Sequence, residues 1–547
     1  MSQKTTSAGT GQKTRRLSSA VVRRAALAAA ALGLAASHSA IAAPACVAGT
    51  AVQTTSGPVC GIVVNGVTEW LGIPYAAPPV GNLRWAPPQA PTPWSTPLAA
   101  TAYASSCTQS SGGSEDCLYL NVYAPAGAVG LPVMAHIHGG GFRGGSGQGD
   151  YTLLATTGNE VVVSLNYRLN IFGFLANAAL GKHSGNYGLQ DQQAALRWVQ
   201  ANVHAFGGDP HSVTIFGESA GGSSVCDQIA SPTAAGLFHK AISTSGEYNT
   251  ILDTPEAPGP FGTTLELQDC KSPLPTLAEA ESAGANFAAA VGCGGAADVA
   301  ACIRAVPAAT VFSVAGLGYH YGGQGTIAPT LNGTTLTMTL RQALQSGNVN
   351  RVPVIAGVDR DENLAGTPVT AADYTQIVEA QFGPIADQVL ARYPLNRFYS
   401  PYVAWRTVAA DAYTVCSALR TAEELSRWMP VFEYEIDFGD VGSATTGNPA
   451  GASHVGQWNL TPVVAGLDVN RQVLQNQELL YVTTLARTGA PTADGAPIWP
   501  QFKAEGDDDQ PRMVMSLGAG ADSQETLVAQ IRLAHNCAFW DEVTPQP

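Results

Sequence analysis

From about residue 130 onward, short, mostly apolar runs alternate with longer amphipathic stretches. Val133–His138 and Val161–Leu165 are compact apolar runs and predict buried strands. Gln190–Ala205 carries apolar residues at helical spacing and stops at Phe206-Gly207-Gly208-Asp209-Pro210, so it predicts a helix. Val213–Phe216 predicts another strand, followed by a tight glycine-containing turn and a helix over Ala220–Ala230. Ala241–Thr244, Val352–Gly357 and Val431–Ile436 predict later strands. Strands alternating with helices imply an α/β fold, a mostly parallel sheet with helices on both faces. Gly72–Trp94 is a loop-rich lead-in, and Asn249–Pro275, rich in proline, reads as an insertion. There is no internal repeat and no dividing linker, so residues 43–547 are expected to form one large domain.

The N-terminus has a different pattern. Lys4, Lys13, Arg15, Arg16, Arg23 and Arg24 precede the first acidic residue, and Ala25–Ala36 is an apolar run too short to span a bilayer. Ala40-Ile41-Ala42 offers the small residues of a cleavage site, which makes residues 1–42 an expected export signal. Arg15-Arg16 gives it a partial twin-arginine character, and an ordinary secretory signal stands as the other reading.

Composition narrows the functional classes. The 547-residue chain has a net charge of −14, which becomes −20 once the basic N-terminus is removed. Such an acid excess repels phosphate backbones and argues against nucleic-acid partners. No long apolar run follows residue 42, which argues against integral membrane association. Charged residues are only 12% of the chain, but apolar residues are 45%, so the low charge does not signal disorder.

All ten cysteines follow Ala42, an even number in an oxidising compartment. Spacing suggests Cys46–Cys60, Cys107–Cys117 and Cys293–Cys302 as local pairs, leaving Cys226, Cys270, Cys416 and Cys537. With no C-x-x-C and wide scatter, no metal site is expected.

Gly217-Glu218-Ser219-Ala220-Gly221 is a G-x-S-x-G pentapeptide between a predicted strand and a predicted helix. There a sharp turn exposes a serine hydroxyl as nucleophile. Upstream, His138-Gly139-Gly140-Gly141-Phe142 follows a strand, and its glycine N–H groups, with that of Ala220, would form an oxyanion hole. His136 and His138 are expected to be structural. A serine nucleophile needs a base and an orienting acid, in the order Ser, Asp or Glu, His. After Ser219 the histidines are His239, His320, His454 and His535. His239 and His320 precede the best acids, and His535 is expected in a terminal helix near a disulfide. His454 lies in the loop Gly451-Ala452-Ser453-His454, where a base should hang. Asp359, Asp361 and Glu362 follow the strand at Val352–Gly357, and spacing does not choose among them.

These residues resemble the type-B carboxylesterase/cholinesterase family of α/β-hydrolases. The resemblance runs from about Gly61 to Trp540 and rests on Gly72-Ile73-Pro74-Tyr75, on Ser114-Glu115-Asp116-Cys117-Leu118-Tyr119-Leu120-Asn121, and on Phe206–Pro210 running into Val213–Gly222. It implies a catalytic triad of Ser219, Glu362 and His454, with Gly140, Gly141 and Ala220 as oxyanion donors. It also implies the disulfides Cys107–Cys117, Cys293–Cys302 and Cys416–Cys537; Cys46–Cys60 and Cys226–Cys270 are added to these. The implied activity is hydrolysis of small-molecule carboxylic esters without a cofactor. A catalytically silent binding module and an amidase on the same fold are the rivals.

The chain departs from the family pattern in three places. Cys107 and Cys117 enclose only nine residues, Thr108–Asp116, without an aromatic, where relatives carry a lid or a choline-binding tryptophan. That makes a lipase or choline esterase less expected. Glu247 stands in Ser245-Gly246-Glu247 where a small residue is usual, and together with Glu218 it is a candidate carboxylate behind the triad. Gln457 follows His454 where an acid is usual.

Overall fold

The computed structural model describes residues 46–246, 274–315, 329–360, 369–436, 469–503, 513–517 and 524–543. Among them, eleven strands form one sheet. In chain order these are β1 (Ile62–Val64), β2 (Val67–Pro74), β3 (Tyr119–Pro125), β4 (Leu131–Ile137), β5 (Val161–Leu165) and β6 (Gly208–Glu218). They continue with β7 (Lys240–Thr244), β8 (Val354–Asp359), β9 (Val431–Ile436), β10 (Met513–Leu517) and β11 (Gln524–Leu527). Their spatial order is β11-β10-β9-β8-β7-β6-β4-β5-β3-β2-β1. From β5 across to β10 every pairing is parallel, and the strands at both edges pair antiparallel.

The apolar runs become strands because both sheet faces are covered, so most positions along a strand are apolar, and the polar exceptions Ser164, Asp359, Glu433 and Glu435 are buried with them. β5, β8 and β9 are buried at every position. Alternate residues feed two cores. Val133, Ala135, Ile137, Ile215 and Ala241 face the core shared with helices α1 (Tyr187–Asn202) and α2 (Ala220–Ala230). Met134, Phe216, Ile242, Ile355 and Phe432 face a second core that includes Leu479 and Val482 of helix α3 (Val469–Thr488).

The predicted strand at Val213–Phe216 starts earlier and ends later than its apolar run. Gly208 already pairs with Leu131, and the strand continues through Gly217 beside Ile137. The predicted helix over Gln190–Ala205 begins at Tyr187, ends at Asn202, and tightens into a 3-10 turn at Val203–Phe206. Buried Arg168, just after β5, forms a bidentate pair with Asp191 of α1 at 2.7 and 2.8 Å.

Four disulfides are present among the described residues: Cys46–Cys60, Cys107–Cys117, Cys293–Cys302 and Cys416–Cys537. Cys226 is also disulfide-bonded, and Cys270, its expected partner, lies outside the described residues. The described residues from Cys46 to Val543 pack as one compact unit. Among the described residues no helix is long and apolar enough to cross a membrane.

Candidate active site

β4 is the sheet's switch point. From it the chain steps to β5 on one side and later returns to β6 on the other. Connections leaving the C-terminal ends of β4 and β6 therefore diverge and leave a crevice, the usual place for a ligand in such a sheet. The two motifs occupy the two rims: His138–Phe142 follows β4, and Ser219 follows β6.

Ser219 is the single residue between β6 and α2, with φ +56° and ψ −124°. Positive φ is costly for a residue with a β-carbon and persists only where the surroundings enforce it. Here they do. The Ser219 N–H donates to Thr244 O at 3.0 Å, and Ser219 O accepts the first α2 bond from the Ser223 N–H at 2.8 Å. The turn also packs directly on β4: a β-carbon on Gly221 would lie 2.2 Å from Ile137 O. Only glycine fits there. Ala220 is fully buried, whereas Ser219 is half-buried at the crevice.

The glycine loop is built from residues that need positive φ, with Gly140 at +102° and Gly141 at +66°. Gly140 O accepts from the N–H groups of Arg143 and Gly144, both at 3.0 Å, closing a tight turn. The Glu218 carboxylate lies alongside: a β-carbon on Gly139 would be 3.0 Å from Glu218 Oε2. This places Glu218 behind the serine and against the glycine loop.

Of the two histidines of this strand end, His138 is buried and His136 half-buried, and they face different cores. His136 accepts or donates through Nδ1 to Tyr151 Oη at 2.7 Å and packs on Phe216. His138 Nδ1 lies 2.8 Å from Gly139 O, and its ring stacks on Tyr167 at 4.3 Å. Burial pushes the pKa of His136 down to about 3 and that of His138 to about 4, so both are neutral at pH 7. No cluster of three or more metal-ligating side chains occurs among the described residues.

Two of the four later histidines are described, and neither sits as a base for Ser219. His239 precedes β7, whereas Ser219 bonds Thr244 at that strand's far end, about 16 Å along the strand. Its Nδ1 accepts from the Val213 N–H at 3.2 Å. His535 caps the end of the Val528–Ala534 helix and is held by two carboxylates, Asp411 Oδ1 at 2.5 Å and Glu435 Oε1 at 2.8 Å. Burial alone would lower its pKa, but Asp411 and Glu435 raise it to about 10, so it is a fixed imidazolium. Among the acids, Asp359 ends β8 buried, close enough to Glu478 of α3 to help burial raise that residue's pKa well above the carboxylate range. Asp361, Glu362, His320, His454, Glu247 and Gln457 lie outside the described residues.

Sequence reasoning missed Asn121, Asn166 and Gln109, whose amides hold the segment after the glycine loop. Asn121 donates to Gly147 O at 3.0 Å, Asn166 accepts from the Gly147 N–H at 2.8 Å, and Gln109 bonds Gly145. No periodicity marks such residues; only their long-range partners do. A groove of about 530 Å³ opens beside Gln109, lined also by Val80, Thr108, Gly113, Ala309 and Phe312.

The parallel sheet, the switch-point crevice and the strand–serine–helix turn together define an α/β-hydrolase. Comparison with known proteins agrees. Residues 48–540 match the model of the carboxylesterase family. Fumonisin B1 esterase of Sphingopyxis macrogoltabida is 37% identical over 371 residues, spanning 63% of each chain. Para-nitrobenzyl esterase of Bacillus subtilis is 34% identical over 418 residues, covering 71% of this chain and 78% of that one. A solved PNB esterase structure superposes with a TM-score of 0.72 at 31% identity, over 89% of this chain and 99% of that chain. The chain belongs to the carboxylesterase family and is a carboxylic ester hydrolase.

Proposed function

We propose that the protein hydrolyses small, soluble, non-lipid carboxylic esters through an acyl-enzyme on Ser219, with His454 as base and Glu362 as its orienting acid. The reading is carried by one observation: Ser219 is held at φ +56° on the rim of the crevice, directly opposite the glycine loop. His454 takes the Ser219 hydroxyl proton as Oγ bonds the ester carbonyl carbon. The carbonyl oxygen becomes an oxyanion, received by the N–H groups of Gly140, Gly141 and Ala220. The C–O bond to the alcohol then breaks, and His454 returns the proton to the leaving alkoxide. A water molecule, deprotonated by His454, attacks the acyl carbon; the bond to Ser219 Oγ breaks, His454 returns the proton to Oγ, and the acid is released. Glu362 fixes the imidazole tautomer. Every step balances without metal or cofactor.

Small, soluble substrates are supported by the loop between Cys107 and Cys117, whose nine residues are too few for a lid and lack an aromatic. Ester hydrolysis itself is supported by the names of two relatives, a fumonisin B1 esterase and a para-nitrobenzyl esterase. Residues 1–42 are assigned as an export signal, in keeping with a chain rich in disulfides.

The test is a chain-length series of chromogenic esters assayed with wild type and Ser219→Ala. The expected result is a maximum at short acyl chains in solution, and a loss of roughly a thousand-fold or more in kcat in the folded variant. Wild-type turnover by Ser219→Ala would overturn the nucleophile, and a maximum on emulsified long-chain esters would overturn the substrate class.

A further inference from the structure

The small disulfide loop Cys107–Cys117 touches the glycine loop through one side chain. Gln109 Oε1 accepts from the Gly145 N–H at 2.9 Å, and its Nε2 donates to Gly145 O at 2.9 Å and to Cys107 O at 3.1 Å. One amide thus engages both backbone groups of Gly145, as a neighbouring strand would, while bonding its own loop behind the disulfide. Beside it, buried Asn170 bridges the same two loops. Its Nδ2 donates to Thr108 O at 2.7 Å, and its N–H donates to Phe142 O at 2.6 Å.

Gly145 leads straight to the proposed oxyanion donors. A β-carbon there would meet His138 Nδ1 at 2.4 Å and Gly139 O at 2.5 Å, so Gly145 rests on the start of the glycine loop. Its neighbour Gly144 donates to Gly140 O at 3.0 Å, the bond that closes the Gly140 turn. Gly140 and Gly145 both lie open to solvent, so packing alone does not hold this turn.

We propose that Gln109 is a positioning residue for the oxyanion hole: its amide, anchored by the Cys107–Cys117 disulfide, aims the Gly140 and Gly141 N–H groups. The proposal rests on the oxyanion reading above. It assigns the short loop a second task besides leaving the crevice open. A hole acts through donors already in place when charge develops, so loosening it removes transition-state stabilisation and leaves ground-state binding nearly intact.

The test compares wild type, Gln109→Ala, Gln109→Glu and Gln148→Ala. Gln109→Glu keeps size and an acceptor but loses both donations. Gln148 lies in the segment after the glycine loop, is exposed, and donates to Ala104 O at 2.8 Å without touching Gly145. The readouts are kcat and KM per titrated active site, and Ki for a trifluoromethyl ketone, which forms a tetrahedral adduct needing the hole.

We expect kcat to fall at least about tenfold in both Gln109 variants with KM within about threefold. Ki should rise in parallel with the loss of kcat/KM, and Gln148→Ala should behave as wild type. A merely structural role would reduce the titratable fraction and leave Ki per site unchanged. Tight ketone inhibition of wild type with unchanged kcat and Ki in the Gln109 variants overturns the Gln109 assignment and leaves the oxyanion reading standing. Weak ketone inhibition of wild type overturns the oxyanion reading itself, and the proposal with it.

Discussion

Gly139 and Glu218 are in backbone contact across the crevice: a β-carbon on Gly139 would lie 2.6 Å from Glu218 O. The same atom would be 3.3 Å from the Ser219 β-carbon. The glycine loop and the nucleophile are therefore two sides of one packed joint.

It follows that Gly139→Ala should cripple catalysis. A methyl group at 2.6 Å from a backbone oxygen forces one rim to move, at a stability cost of about 1–3 kcal/mol. The displaced rim carries the oxyanion donors, so kcat should drop by roughly a hundred-fold. Gly295→Ala is the matched control, because its β-carbon would meet nothing within 4 Å. Steady-state kinetics and urea midpoints check both, and near-wild-type kcat in Gly139→Ala would show that the joint is not tight.

The buried His535 predicts a pH effect on stability. Its pKa is raised to about 10 in the folded chain against an ordinary value near 6.5. A raised pKa adds stability that is fully present below about pH 6.5 and is lost as pH climbs through the folded value. Wild type should therefore lose stability relative to His535→Gln between pH 7 and 10. Removing the imidazolium also leaves Asp411 and Glu435 facing each other in the interior, so the variant should start well below wild type at pH 6. Denaturant midpoints at several pH values measure the gap; a gap independent of pH would refute the charged state.

The disulfides should differ in worth. Cys416–Cys537 spans 121 residues of sequence and Cys293–Cys302 only 9. Loop-closure entropy assigns about 5 kcal/mol to the first and about 2.5 kcal/mol to the second. Cys416→Ser/Cys537→Ser should accordingly lower the melting temperature more than Cys293→Ser/Cys302→Ser. The reverse order by calorimetry would contradict this.

Much of the fold is legible in the sequence where local pattern and tertiary demand coincide. β5 at Val161–Leu165, β9 at Val431–Ile436 and α2 at Ala220–Ala230 occupy the residues their patterns predict, because strands covered on both faces are mostly apolar and α2 follows directly on the glycine-containing turn. β3 at Tyr119–Pro125 is harder to read. Asn121 breaks its apolar run, yet it is buried because it accepts from the Gly72 N–H at 2.9 Å and donates to Gly147 O. The strand at Gly208–Glu218 starts inside the residues that stop the preceding helix.

The site divides in the same way. Ser219 and the glycine loop are visible because their chemistry needs glycines at fixed offsets. His535 reads only as a residue near a disulfide, since Asp411 is 124 residues away in sequence. Gln109 sits in a serine- and glycine-rich loop and carries no local signal at all; only its bonds to Gly145 identify it.

The most direct test of the account is to inactivate the protein with a phosphonate ester and map the adduct by peptide mass spectrometry. One equivalent bound at Ser219, rising in step with lost esterase activity, is the predicted result. Complete inactivation with the adduct on any other residue would contradict it.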